Sequence, residues 1–174
     1  KENIQFLKFI PIFFLLFGLN PYKNLVQAEG KKPQEYKVLA ANNKNLSIES
    51  VDYFLKQGDE SLKNGNFKKA KESYLSGRKL ATQLATFYSD LNTAFIGVDA
   101  RIPNEMKKKG KASLQVLAKS NSRLANLYIR NKKPDVAVPL LIEIIRIMSP
   151  NSPEGKEAYE KLIQLGFVET KYKG

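Results

Sequence analysis

From Val51 onward, the apolar positions recur at the spacing of helices that bury one face. Phe54, Leu55, Gly58 and Leu62 share one side of a first predicted helix. Ser47 or Ser50 can cap it, and Asn64-Gly65-Asn66 ends it. Phe67, Ala70, Tyr74 and Leu75 mark a second helix running on toward Leu84, and Phe87, Tyr88, Leu91, Phe95 and Ile96 a third. Gly97-Val98-Asp99 and Ile102-Pro103 interrupt the pattern. Met106, Leu114, Leu117, Leu124, Leu127 and Tyr128 resume it, with Gly110 as the one internal breaker, so this stretch reads as one long helix or two. Pro134 opens a strongly apolar helix over Val136, Ala137, Leu140, Leu141, Ile144, Ile145 and Met148, in which Pro139 is a local conflict. Ser152-Pro153-Glu154 starts a last helix, closed at Gly166. No segment alternates as a strand would.

The pattern before Val51 is different. Residues 1–28 have the form of a secretory signal peptide: Lys1 and Lys8, the apolar run Phe9–Leu19, then Val26-Gln27-Ala28 with small residues where a peptidase would cut. That run is shorter than the roughly 20 residues of a membrane span and contains Pro11 and Gly18. Residues 29–46 lack a period and read as a flexible linker, 47–168 as the helical domain, and 169–174 as a basic tail.

The segment from Tyr53 can be laid on the segment from Ser120 with a constant shift of 67, which puts Gly58 on Ala125, Ala70 on Ala137, Tyr74 on Leu141 and Gly77 on Ile144. The turn Asn64-Gly65-Asn66 falls on Asn131-Lys132-Lys133. That shift is close to twice the period of about 34 residues typical of helical-hairpin repeats. Half a unit lies between: Phe54, Gln57 and Ser61 shifted by 34 give Tyr88, Leu91 and Phe95.

These residues resemble the tetratricopeptide repeat. The first unit matches at Phe54, Gly58, Gly65, Phe67, Ala70, Tyr74 and Gly77 and departs at Gln57 and Ser61. The last matches at Leu124, Ala125, Tyr128, Ala137 and Leu141, with Asn121 at an aromatic site, Pro134 at the second-helix aromatic and Ile144 at a small site. The resemblance implies an all-α fold: an antiparallel helical-hairpin array of about three units with a C-terminal capping helix. It also implies a concave groove, lined by the first helix of each unit, that holds extended peptides.

Composition narrows the chemistry. The 174 residues are 43% hydrophobic and 26% charged, with neither Cys nor His. Thiolate chemistry, His-based triads and His or Cys metal ligation are therefore excluded. Asp52, Asp59, Asp90 and Asp99 are scattered along helical faces, Ser120 beside Lys119 makes no nucleophile pair, and the isolated glycines form no phosphate loop. The chain reads as non-enzymatic, with no cofactor and no metal. The formal charge of +12 favours an acidic partner.

Two surfaces stand out. Lys119, Arg123, Asn126 and Arg130 recur at spacings of four, three and four and so share one helix face. In groove members of the resembled family, a carboxylate clamp draws on five residues; Lys119 and Arg123 match two of them, while Leu55, Asp59 and Asp90 occupy the other three sites. These cations point to an acidic segment of a protein partner, as in an adaptor or assembly scaffold. The denser run Lys107, Lys108, Lys109 and Lys111 suggests an alternative, a peripheral protein on an anionic membrane surface. For either set the plain alternative is a solvated face. Nucleic acid is disfavoured, because the aromatics fall on core positions rather than among the lysines. The Lys- and Asn-rich usage resembles exported proteins of AT-rich bacteria, which implies the periplasm or a thylakoid lumen.

Overall fold

The computed structural model describes residues 46–174, and these form five helices and no strand. The signal-peptide reading of 1–28 and nearly all of the 29–46 linker lie outside the described residues. The helices are α1 (Ile48–Lys63), α2 (Phe67–Phe95), α3 (Arg101–Arg130), α4 (Pro134–Met148) and α5 (Pro153–Gln164). Each packs antiparallel on the next across a short turn. None is long and apolar enough to cross a membrane.

Caps set the boundaries. The Ser47 hydroxyl accepts from the Ser50 amide, and Ser152 accepts from Gly155. At the ends of α1, α3 and α5 the backbone closes in the same way. Asn66 N–H donates to Ser61 C=O and Gly65 N–H to Leu62 C=O; Lys133 donates to Tyr128 and Lys132 to Ile129; Phe167 donates to Leu162 and Gly166 to Ile163. This is the paired bonding that satisfies the last carbonyls of a helix. The left-handed residue is Gly65 (φ 72°), Lys132 (φ 56°) or Gly166 (φ 78°). The first two turns stand 67 residues apart, matching the sequence shift, and the third follows 34 later.

Between these turns the structure departs from the sequence expectation. The second and third predicted helices are one, the 29-residue α2, and the stretch from Arg101 to Arg130 is a single 30-residue α3. The reason is local. Ser149-Pro150-Asn151-Ser152-Pro153 separates α4 from α5, and the residues 67 earlier are Thr82-Gln83-Leu84-Ala85-Thr86. The residues 34 earlier are Gln115-Val116-Leu117-Ala118-Lys119. Neither stretch holds a Gly or Pro, so nothing stops the helix. Gly110, the expected breaker, is accommodated inside α3, where the Cβ of Tyr88 comes close. Helix α4 likewise runs through Pro139, which lies on its exposed side.

Long α2 and α3 therefore make one antiparallel hairpin about 44 Å long. Its base is enclosed by the other three described helices. Val51 and Leu55 of α1, Tyr74, Ala81 and Leu84 of α2, and Leu117, Leu124 and Leu127 of α3 form one core cluster. Ala118 and Ala125 of α3, Leu141 and Ile144 of α4, and Ala158 and Leu162 of α5 form a second. The rest of the hairpin, from about Ala85 to Ala112, stands out as an arm.

Helix α1 approaches α2 tightly at Gly58. A Cβ placed on Gly58 would overlap the ring of Tyr74, which is 1% exposed. The same pair 67 residues on is Ala125 with Leu141, where a smaller facing side chain leaves room for the extra methyl. Gly58→Ala should therefore destabilise by about 1–3 kcal/mol, despite the better helix propensity of Ala. In Gly58→Ala/Tyr74→Leu the two changes should cost less together than the sum of their separate costs, by about 1 kcal/mol, measured by urea unfolding of the three variants. Strict additivity would mean that the two side chains do not collide.

Candidate functional site

Helix α3 carries all of the sequence-predicted site residues, but it treats them differently. Arg123 turns toward α1. Its Nε donates to Asp59 Oδ1 at 2.9 Å and its Nη2 to Oδ2 at 3.0 Å, a two-pronged ion pair. The Tyr74 hydroxyl donates to the same Oδ1 at 2.7 Å. One carboxylate thus joins α1, α2 and α3. Burial pushes the Asp59 carboxyl up, but the Arg123 and Tyr74 hydrogen bonds and the Arg123 charge outweigh it, and its pKa lies below the usual value. Burial and the bond to Asp59 push the Tyr74 hydroxyl well above its ordinary range. Asp59 fills, from within the chain, the place that an acidic ligand would take on Arg123.

A second polar tie joins α2, α3 and α4. Arg78 Nε donates to Asn121 Oδ1 at 2.7 Å, and its Nη2 pairs with Glu143 at 2.6 Å. Asn121 is fully buried; its Oδ1 accepts the Arg78 hydrogen bond, while its Nδ2 has no hydrogen-bond partner among the described residues.

The remaining residues of the set stay in solvent. Lys119, Asn126 and Arg130 are exposed, and none has a hydrogen-bond or ion-pair partner among the described residues. Lys119 and Arg123 border a depression of about 140 Å³ between α3 and α5, over Leu141 and Ile144 of α4. Glu154, Glu157 and Lys161 form its far wall, with Lys161 paired to Glu157 at 2.5 Å. The volume suits one side chain and falls short of the roughly 300 Å³ at which small-molecule sites begin. Of the basic run, Lys109 pairs with Glu105 at 2.6 Å and lies over the Tyr88 ring, whereas Lys107, Lys108 and Lys111 are exposed on the arm.

Sequence reasoning placed Arg123 among the ligand cations and Asp59 on a solvated face, and missed both polar ties. Their partners lie 43 to 65 residues apart, beyond the reach of any periodicity. The one available signal was Asn121, a polar residue in an apolar stripe.

The Asp59–Arg123 pair is about one-third exposed on each side, so its coupling in a double-mutant cycle should be about 1 kcal/mol. Because the folded pKa of Asp59 is lowered, its contribution is full above the unfolded carboxylate range and fades as pH falls through the folded value. Asp59→Asn should therefore flatten the loss of stability below about pH 4, followed by thermal melts from pH 3 to 7. An unchanged acid limb would mean that Asp59 is unpaired in solution. No protein-family model, curated protein or solved structure matches this chain.

Proposed function

We propose that this chain is a non-enzymatic docking protein, a tetratricopeptide-like scaffold that holds an acidic segment of a protein partner along α3. The observation that carries the reading is the row Lys119, Asn126 and Arg130. These residues are exposed, without partners among the described residues, and spread over about 16 Å of one helix. Lys119 adjoins a depression large enough for one anchoring side chain. Arg123 has a different role here: engaged with Asp59, it fixes the wall on which the others stand.

Two features support the repeat-like reading. Helix-end bonding recurs at the 67-residue shift and again 34 residues later, and the counterparts of Gly58 and Tyr74 at that shift, Ala125 and Leu141, are buried in one core cluster. In this reading α1 with the start of α2, and the end of α3 with α4, are two hairpin units. α5 caps them, and the intervening unit is drawn out into the arm. The signal-like segment and basic charge fit an exported protein in a periplasm or thylakoid lumen.

Binding of a fluorescein-labelled Glu-rich peptide to the full chain, followed by anisotropy, tests the groove. Lys119→Glu with Arg130→Glu should weaken binding at least about tenfold and leave the melting temperature nearly unchanged. Lys107→Glu with Lys108→Glu, the same change in charge on the arm, should weaken it by about twofold or less. Equal losses from the two pairs would reduce the interaction to general charge attraction and overturn the groove.

A further inference from the structure

The arm end presents apolar surface that the other described helices leave exposed. After Leu84, α2 buries no residue, although Phe87, Tyr88, Leu91 and Phe95 follow. At the turn, Ile96 is 63% and Val98 76% exposed, more than any other large apolar residue among the described ones. Two ion pairs already form nearby, and Asp90 of α2 is an exposed carboxylate with no partner among the described residues. Arg101 holds Asp99 through its Nη2 at 2.7 Å, and Glu105 holds Lys109. Lys107, Lys108 and Lys111 remain, exposed and without a carboxylate partner among the described residues. Lys107 and Lys108 lie only about 9–11 Å up the axis from the start of α3.

We propose that the tip of the α2–α3 arm contacts an anionic lipid bilayer, with Ile96 and Val98 entering the boundary between headgroups and acyl chains while Lys107, Lys108 and Lys111 engage lipid phosphates. A tip buried by about 5–10 Å sets these lysines at headgroup level, and their flexible stems adjust to it. The shape fits this occupant. The apolar residues crown a narrow convex end, which suits a deformable interface rather than a pocket. A second copy of the chain does not fit, because tip-to-tip contact would bring the two free lysine sets together on molecules that each carry +12. Asp99 does not oppose approach, since its charge is held by Arg101.

The full chain contains no Trp, so one introduced Trp is a local reporter. Val98→Trp should show a blue-shifted emission on addition of phosphatidylglycerol-containing vesicles, and quenching by brominated acyl chains. Phosphatidylcholine vesicles should give neither. Phe67→Trp, at the opposite end of the hairpin, should respond to neither vesicle, and membrane attachment through another segment would leave the tip reporter unshifted. In the Val98→Trp background, Lys107→Glu with Lys108→Glu should raise the lipid concentration for half-maximal shift at least about tenfold. Lys68→Glu with Lys71→Glu, equal in charge but at the base, should raise it by about twofold or less. No shift with anionic vesicles, or equal losses from the two pairs, would overturn the proposal, as would a Val98→Trp shift elicited by a soluble Glu-rich peptide and not by vesicles.

Discussion

The Asp59 carboxylate belongs to α1, takes a hydrogen bond from Tyr74 of α2 and is gripped by Arg123 of α3. Three helices meet at one charged group, and the surrounding packing holds that meeting point in place. The Tyr74 ring lies close against Gly58, where an added Cβ would overlap its Cδ1–Cε1 edge. Arg123 reaches Asp59 only because the end of α3 lies beside α1, with the tie from Arg78 to Asn121 and Glu143 holding α2, α3 and α4 together. A carboxylate shared in this way is favourable while it is ionised. The pairing therefore contributes through the neutral range and weakens only in acid.

This contact also accounts for the overall shape. Asp59–Arg123 joins α1 to α3 at one point, and Arg78–Glu143 joins α2 to α4 at another. The middle of the chain, from the end of α2 to the start of α3, lies outside both ties. Without a breaker at residues 82–86 or 115–119, both connecting helices continue outward and pair with each other. The arm follows from missing stop signals as much as from any attraction of its own: beyond Leu84, the buried apolar side chains are reduced to Pro103 and Met106 on α3.

The sequence made the ends of the elements legible wherever an end is written in local chemistry. Ser47, Asn64-Gly65-Asn66, Pro134 and Ser149 to Pro153 each fix a boundary through a cap, a left-handed residue or a missing donor. The apolar stripes of α1 and α4 also fell on the buried or half-buried faces, Val136 excepted. What failed was the break placed between Leu84 and Phe87. Leu80, Leu84, Tyr88, Leu91 and Phe95 run on at spacings of four, four, three and four, so the stripe was continuous and the expected repeat period imposed the boundary. Of the candidate site, the helix and the shared face of Lys119, Asn126 and Arg130 were readable. The commitment of Arg123 was not, because whether a cation is free depends on which helix stands opposite, and that is settled by tertiary register. The exposure of Ile96 and Val98 was hidden for the same reason: an apolar residue beside a turn looks like core until the surrounding helices are placed.

The continuity of α3 has a mechanical consequence. The row ending at Arg130 and the basic cluster beginning at Lys107 stand on one unbroken helix, 23 residues or about 35 Å apart. With a loop between the two halves of this helix, each surface would move independently, and occupancy of one would say nothing about the position of the other. A continuous helix, braced along its length by α2, fixes both their separation and their relative rotation about the axis. Under the two proposed roles, a partner held at the base would stand at a set height above a surface touched by the tip.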